Sequence, residues 1–460
     1  MTNFWDYEVW GFFSVLAVLL ISLLVANIMR KTIKPLRDSL IPTSVLGGGV
    51  LVLVAAIYKW ITGDVMFDTA FFGGNGTATL ELLTYHCLAL GFIAATFKPS
   101  QSKMTKKRTN EIFNTGVTTV ATYLLQAVCG MVIAFIATLV LKDFFVAAGV
   151  LLPFGYGQGT GQALNYGGIY ESLGFVGGKS FGLTIAALGF ISASVGGVIY
   201  LTYLKRTNRL PAQCNVREVI RPEDIQGDDE IPMQESIDKF TVQIALIGMA
   251  YFLAYLMMYG LGLLLPGMKA VIYGFNFLLG VLSATLIKTA MGLLKKAGAI
   301  KREYVNGFLM TRASNFFYDL MVVAGIAAIR FGALKDYWGV ILIMGVVGLL
   351  VTYGYNMLVA KLLFREYYQE QFLCMYGMLT GTASTGVILL REIDGNFSTP
   401  AADNLVYQNF PAMVFGFPLM LLATLAPEKP VLTLIILIAF FLVMNLILFR
   451  SFIFKRKKKQ

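Results

Sequence analysis

Apolar runs of about 20 residues recur along almost the whole chain and are separated by short polar segments. As an α-helix, a run of this length rises roughly 30 Å, which is the thickness of the hydrocarbon core of a bilayer. The pattern predicts an all-α polytopic membrane protein with about eleven spans. The predicted spans lie near residues 9–29, 42–61, 80–97, 112–141, 181–204, 240–265, 268–294, 305–331, 337–363, 404–425 and 430–453.

Two further apolar segments, 144–170 and 371–390, are interrupted by glycine and threonine. Unwound backbone inside a membrane persists only where it is buried in protein or lines a wet cavity, because its polar groups need partners. In such a break the free carbonyls can ligate Na⁺, and the positive N-terminal ends of half-helices can hold a carboxylate. We therefore predict two re-entrant hairpins whose tips enclose a binding site near the middle of the membrane.

Clusters of Lys and Arg lie between the apolar runs and predict the orientation of the chain. They surround residues 30–37, 98–108 and 205–209, and a basic tail occupies 455–459. Cytoplasmic loops of membrane proteins are enriched in Lys and Arg, so the N-terminus is expected outside and the C-terminus in the cytoplasm. The formal net charge of +11 is thus read as a topology signal and not as a nucleic-acid surface. The N-terminus lacks a signal-peptide pattern, which favours a retained first helix.

The polar stretch 205–238 divides the chain nearly in half and is interpreted as a cytoplasmic linker. The first half, 1–204, and the second, 239–426, each hold five predicted spans and one hairpin, and they are expected to have inverted topologies. Residues 427–460 add an extra C-terminal helix and the basic tail. Residues 156–163 (YGQGTGQA) can be laid over 376–383 (YGMLTGTA) with five of eight residues identical, which favours an inverted repeat over chance similarity.

Composition excludes most other classes. The chain is 57% hydrophobic and 14% charged, and it has four cysteines without a CxxC pair and one histidine, His86. These features indicate neither a disulfide framework nor a zinc site, and the common hydrolase and metalloprotease motifs are missing from the sequence. An enzyme is therefore not expected, and no cofactor is predicted. A channel stays as an alternative class, although channels usually build their filters by symmetry between subunits.

Several motifs resemble the bacterial sodium/glutamate symporter family. They are Gly157-Gln158-Gly159-Thr160-Gly161 with the following Tyr166-Gly167-Gly168, Ile41-Pro42 leading into Gly47-Gly48-Gly49, Thr380-Gly381-Thr382-Ala383-Ser384-Thr385-Gly386, and Pro411-Ala412-Met413-Val414. The resemblance covers nearly the whole chain except the final helix. The chain departs from the family pattern in two places: Gln158 stands where a histidine is common, and the charged stretch Leu390-Arg391-Glu392-Ile393-Asp394 replaces a more neutral segment.

The resemblance implies Na⁺-coupled symport of glutamate, or of a related small anionic amino acid, across a bacterial inner membrane. It also implies a homodimer and, in each protomer, a scaffold part and a moving part that carries both hairpins. Nucleic acid is not an expected partner, whereas the lipid bilayer is. Another organic anion and H⁺ coupling remain open alternatives; for H⁺ coupling the titratable candidates are His86, Glu171, Asp319, Glu392 and Asp394.

The candidate site residues follow from the two breaks and from the polar residues inside predicted spans. Arg391 is a candidate partner for a substrate carboxylate, and Asp319 with its neighbours is a candidate for sodium or, alternatively, a structural partner of Arg312. The predicted substrate-binding residues are Gln158, Gly159, Thr160, Gly161, Thr382, Ser384, Thr385 and Arg391. The predicted Na⁺ ligands are Gly157, Thr160, Asn165, Asn315, Asp319, Thr380 and Gly381.

Overall fold

The computed structural model describes residues 3–38, 40–98, 105–207, 225–227, 229–233, 236–266, 269–274, 276–394 and 399–453. Within these ranges the chain is all-helical, with 82% helix and no strands. Most of the predicted linker, the basic tail 455–459 and the side chain of Ser384 lie outside the described part. The all-α class predicted from the apolar pattern is confirmed.

Long helices account for most of the described chain. They are α1 (Tyr7–Thr32), α3 (Thr43–Thr62), α4 (Gly76–Phe97), α5 (Lys106–Ala137), α8 (Gly178–Arg206), α9 (Lys239–Leu264), α11 (Asn276–Lys296), α12 (Gly307–Ala327), α13 (Trp338–Leu363), α17 (Asn409–Leu425) and α18 (Pro430–Leu448). The shorter helices are α2 (Lys34–Asp38), α6 (Leu151–Tyr156), α7 (Gly159–Ser172), α10 (Lys269–Gly274), α14 (Tyr368–Thr380), α15 (Ala383–Arg391), α16 (Ala401–Tyr407) and α19 (Arg450–Ile453).

Nine helices in the described ranges are long and apolar enough to cross a membrane, and the bent pair α16–α17, with an angle of 49°, makes a tenth. Ten of the eleven predicted spans correspond to these helices. The remaining predicted span, 305–331, is helical over α12. It falls outside the set, and its polar residues include Arg312 and Asp319.

The outer faces of the long helices are apolar. On α18, Thr433, Leu437 and Met444 are buried and lie on one stripe, while Val431 and Ile435 on the opposite face are 60% and 58% exposed. Water would make such an exposed apolar face unfavourable, whereas lipid chains match it. Together with the number of long apolar helices, this makes the chain a multi-pass membrane protein.

The chain forms two compact units, and each draws on both halves of the sequence. The first unit contains residues 1–20, 61–103 and 217–324, and the second contains 21–60, 104–216 and 325–460. In the first unit, α4, α9 and α11 pack together through buried residues such as Ile93, Ile247 and Ala284. His86 of α4 bonds through Nδ1 to the hydroxyl of Tyr251, 2.7 Å away on α9.

The second unit is built around α5, which packs against α6, α13, α14, α17 and α18. The helix α8 packs against the short helices α6, α7, α14 and α15. Glycine permits these close approaches: a Cβ on Gly189 of α8 would lie 2.5 Å from the carbonyl oxygen of Thr380, so no larger residue fits there without movement. All four short helices that follow from the two predicted breaks therefore belong to one compact unit.

Candidate functional site

The first predicted break is a short interruption between α6 and α7. Only Gly157 and Gln158 separate the two helices, and Gly159 begins α7 with a φ of +76°, a conformation that favours glycine. The rings of Phe154 on α6 and Tyr166 on α7 stack with their centroids 3.9 Å apart, so α7 folds back along α6. We refer to α6 and α7 as the first helix pair and to residues 157–159 as its tip.

The second predicted break separates α14 from α15 at Gly381 and Thr382. A Cβ on Gly377 of α14 would lie 2.8 Å from the Cα of Gly386 on α15, so the two helices fold back on each other at close range. We refer to α14 and α15 as the second helix pair and to residues 381 and 382 as its tip. Small residues at the crossing allow this close backbone contact.

The two tips touch each other. A Cβ on Gly159 would lie 3.4 Å from Cγ2 of Thr382 and 3.6 Å from the carbonyl oxygen of Gly381. Because Gly159 begins α7 and Thr382 is the N-cap of α15, the N-termini of two helices meet at this point. Neither N-cap side chain accepts a hydrogen bond from the first turn of its helix. The first N–H groups of a helix and its dipole together give each N-terminus a partial positive charge.

Buried polar side chains line the first turns of both helices. Gln162 is only 2% exposed, and its Oε1 accepts a hydrogen bond from Nδ2 of Asn165. Its Nε2 has no hydrogen-bond partner in the described part of the chain. On α15, the hydroxyl of Thr385 is buried and lies 3.4 Å from that of Thr382. A buried amide nitrogen without an acceptor is unfavourable in the protein alone, and an anionic ligand would satisfy it.

The C-terminal ends of the first helices in each pair are held by α5. The hydroxyl of Tyr123 donates to the carbonyl of Gly157 at 3.0 Å, just beyond the end of α6. One turn further along α5, Nε2 of Gln126 donates to the carbonyl of Leu379 at 2.9 Å, in the last turn of α14. These helix ends carry the partial negative charge of the helix dipole. Positive helix ends thus meet at the tips, while negative helix ends contact α5.

The structure brings most of the predicted site residues together. Thr160 and Thr380 are both fully buried, and a Cβ on Gly325 would lie 2.7 Å from Cβ of Thr160. The predicted residues at or within one turn of the two tips are Gly157, Gln158, Gly159, Thr160, Gly161, Thr380, Gly381, Thr382, Ser384 and Thr385.

Four predicted residues are not part of the tips or of the helical turns next to them. Asn165 is in the second turn of α7, where it bonds to Gln162. Arg391 is exposed and ends α15, about 12 Å along the helix from its start. Asn315 and Asp319 are exposed residues of α12 in the first compact unit, whereas both tips belong to the second.

The aligned motifs occupy different positions relative to the breaks. Thr160 and Gly161 follow the first break and lie inside α7, while their aligned counterparts Thr380 and Gly381 lie at the end of α14 and within the second break. The aligned tyrosines, however, converge: Tyr156 bonds through its hydroxyl to Oγ of Ser192, and Tyr376 donates to the carbonyl of the same serine. When the two sequences are overlaid, the second break therefore falls about one helical turn later than the first.

Sequence reasoning missed the buried polar residues that support the tips. They are Gln162 beside the first tip and, on α5 and α13, Thr122, Gln126, Thr352 and Asn356. The available signal was the spacing of polar residues inside an apolar span: Thr122 and Gln126 are four residues apart, as are Thr352 and Asn356, and each pair lies on one helix face.

Comparison with protein-family models finds no match, and no curated protein matches the chain either. The resemblance to sodium/glutamate symporters therefore stays a prediction.

Proposed function

We propose that the protein is a secondary active transporter that couples the inward gradient of Na⁺ to the symport of glutamate, or a related small anionic amino acid, across a bacterial inner membrane. The observation that carries the proposal is the meeting of two helix N-termini at Gly159 and Thr382, inside a unit made of apolar helices. Each N-terminus supplies N–H donors and a partial positive charge, so their junction suits a carboxylate. The buried amide nitrogen of Gln162, which has no acceptor among the described residues, adds a neutral donor within one turn of Gly159.

The lengths of the helices support re-entrant hairpins. The arms α7 and α14 have 14 and 13 residues, which correspond to about 21 and 20 Å. The arm α15 is shorter still, with 9 residues and a length of about 14 Å. A full crossing needs roughly 30 Å, so arms of this length reach only partway into a bilayer before they fold back.

The direction of α5 and α13 supports an inverted repeat. These helices are the fourth spans of the two predicted halves. Thr122 is bonded to Asn356 and Gln126 to Thr352, a pairing that requires antiparallel helices. Fourth spans of opposite direction are what inverted halves require. With both helix pairs in the second compact unit, that unit is the candidate for the moving part of an elevator-type or rocking carrier, and the first unit is the candidate for the scaffold.

The other parts of the proposal rest on the sequence. The homodimer follows from the family resemblance, and the orientation with the N-terminus outside follows from the basic clusters. A different organic anion or H⁺ coupling is the second candidate within transport. A channel is less favoured, because two touching tips close the junction at which an ion path would run.

The test is uptake of radiolabelled L-glutamate by the purified protein in liposomes, with and without an inward Na⁺ gradient. Accumulation that requires Na⁺ supports the class, the substrate and the coupling ion together. If a different anion from a panel of dicarboxylates and amino acids accumulates instead, the protein is still a carrier but glutamate is not its substrate. Ohmic current without accumulation would overturn the carrier in favour of a channel.

A further inference from the structure

Four buried polar residues form a ladder between α5 and α13. Nε2 of Gln126 donates to the hydroxyl of Thr352 at 2.8 Å, and Nδ2 of Asn356 approaches the hydroxyl of Thr122 at 3.4 Å. All four are at most 1% exposed. None of the four residues carries a formal charge. Both amides donate to Thr352, because Nδ2 of Asn356 also donates to the carbonyl of Thr352 at 2.9 Å.

The hydrogen bonds fix which end of each amide is oxygen. The amide nitrogen of Gln126 faces the carbonyl of Leu379, and that of Asn356 faces the carbonyl of Thr352. A flipped amide would place its oxygen against a carbonyl oxygen, which is repulsive, so the orientation is set by main-chain acceptors.

This orientation leaves two acceptors without donors. Oε1 of Gln126 and Oδ1 of Asn356 are fully buried and make no hydrogen bond to any residue that the structure describes. An amide oxygen buried without a donor is unfavourable, and two among the four residues of the ladder require a physical reason. A cation bound beside such an oxygen would satisfy it.

The surroundings of the ladder favour positive charge. Leu379, which Gln126 contacts, lies in the last turn of α14, where the helix dipole is negative. The available ligands are neutral amide, hydroxyl and carbonyl oxygens. Such a set suits a monovalent hard cation, because Ca²⁺ sites are built largely with carboxylates and Mg²⁺ retains much of its water.

We propose that Gln126 and Asn356 bind a Na⁺ ion through their side-chain oxygens, in the ladder that Thr122 and Thr352 complete. The inference deepens the proposed function, on which it rests, by naming a site for the coupling ion that is separate from the two tips. Gln126 connects the two sites, because the same amide that would bind the ion holds the carbonyl of Leu379, three residues before Thr382 in the second tip. An ion in the ladder would therefore order the second tip for the anion.

The test measures binding of ²²Na⁺ to the purified full-length protein in choline buffer, with no substrate present. Wild type is expected to bind Na⁺ saturably and in preference to K⁺. Gln126→Leu and Asn356→Leu should each weaken Na⁺ binding by about tenfold or more. The matched control is Asn404→Leu: Asn404 is also buried with an unpaired amide oxygen, but its nitrogen bonds to Tyr367 and Gln371. The control should bind Na⁺ like wild type.

A second variant keeps the test decisive if the leucine variants do not fold. Asn356→Asp places an isosteric carboxylate in the ladder, so Na⁺ and a proton would compete for it, and Na⁺ affinity should fall as the pH is lowered. Unchanged Na⁺ affinity at every pH in Asn356→Asp, or wild-type binding in both leucine variants, would overturn the ion site. Na⁺ binding that responds to these variants in a protein that transports no glutamate would support the ion site and remove only the proposed substrate. If the variants leave Na⁺-driven glutamate uptake unchanged, the proposed function is supported and the ion site is overturned.

Discussion

Gly159 and Thr382 lie in contact across the two helix pairs, at a distance where a Cβ on the glycine would be 3.4 Å from Cγ2 of the threonine. The contact joins residues more than 200 positions apart in sequence and holds two helix N-termini together. Like partial charges repel, so the arrangement is unfavourable unless packing enforces it or an anion lies nearby. The proposed substrate carboxylate provides that anion.

Gly159→Val should weaken anion binding by about tenfold or more. A branched side chain at Gly159 would push against Thr382 and displace the N–H groups that would hold the anion. The φ of +76° adds backbone strain, which the control below reproduces. A change of 1.4 kcal/mol in binding free energy corresponds to a factor of ten. The measurement is the dissociation constant of the transported anion for the purified variant.

Gly174→Val is the matched control for this variant. Gly174 has a φ of +101°, and a Cβ there would meet no atom of the described residues within 4 Å. It therefore reproduces the backbone strain in the turn after α7 without touching the tips. Equal losses of affinity in the two variants would mean that strain alone, and not the contact with Thr382, is responsible.

Gln162→Glu should abolish anion binding, while Gln162→Met should weaken it about tenfold. The glutamate would introduce a buried negative charge in the first turn of α7, where it would compete with the substrate for the positive helix end. The methionine adds no charge; it removes the amide nitrogen together with the oxygen that accepts from Asn165.

Ser172→Glu controls for the added charge. Ser172 is the exposed last residue of α7, about 20 Å along the helix from Gly159. Uptake of the anion should stay near the wild-type rate in this variant. If Gln162→Glu transports as well as Ser172→Glu does, the anion does not bind at the N-terminus of α7.

Thr385→Val and Arg391→Ala separate two places for the substrate on α15. The hydroxyl of Thr385 is buried within one turn of the second tip, whereas Arg391 is exposed at the far end of the helix. A site at the tips predicts that Thr385→Val raises the KM for the anion several-fold and that Arg391→Ala leaves it close to wild type. The opposite result, measured at equal protein abundance in liposomes, would place the carboxylate at Arg391.

The helical class and the positions of both breaks could be predicted from sequence because each depends on local properties. Apolar length determines which segments can cross a membrane, and glycine marks where a helix can be interrupted. The register of the breaks could not be predicted. Thr160 and Gly161 lie inside α7, and the interruption falls at Gly157. There the hydroxyl of Tyr123 on α5 donates a hydrogen bond to the carbonyl of Gly157.

The supporting ladder could not be predicted because its partners are distant in sequence. Thr122 and Asn356 are 234 residues apart, and nothing in a single sequence says that these two polar residues pair. The rule that polar residues inside spans are functional pointed instead to Asn315 and Asp319, since Asp319 is charged. That rule selects formally charged residues, whereas Gln126 and Asn356 are neutral amides that bury an oxygen without a donor among the described residues.

The first compact unit offers a test of stability that is independent of transport. Lys239 is fully buried at the start of α9, and its Nζ lies 2.6 Å from Oε2 of Glu230, which also accepts from Nδ2 of Asn306 at 2.7 Å. Removing one partner of a buried ion pair costs about 3–5 kcal/mol, because the other charge is left uncompensated. Lys239→Met should therefore lower the unfolding temperature markedly in a thermal scan of the detergent-solubilised protein.

Adding Glu230→Gln to that variant should restore part of the loss, since the lone carboxylate is removed while the bond from Asn306 can persist. A double variant that unfolds at or below the temperature of Lys239→Met would show that the lysine stabilises the unit by packing and not by pairing with Glu230.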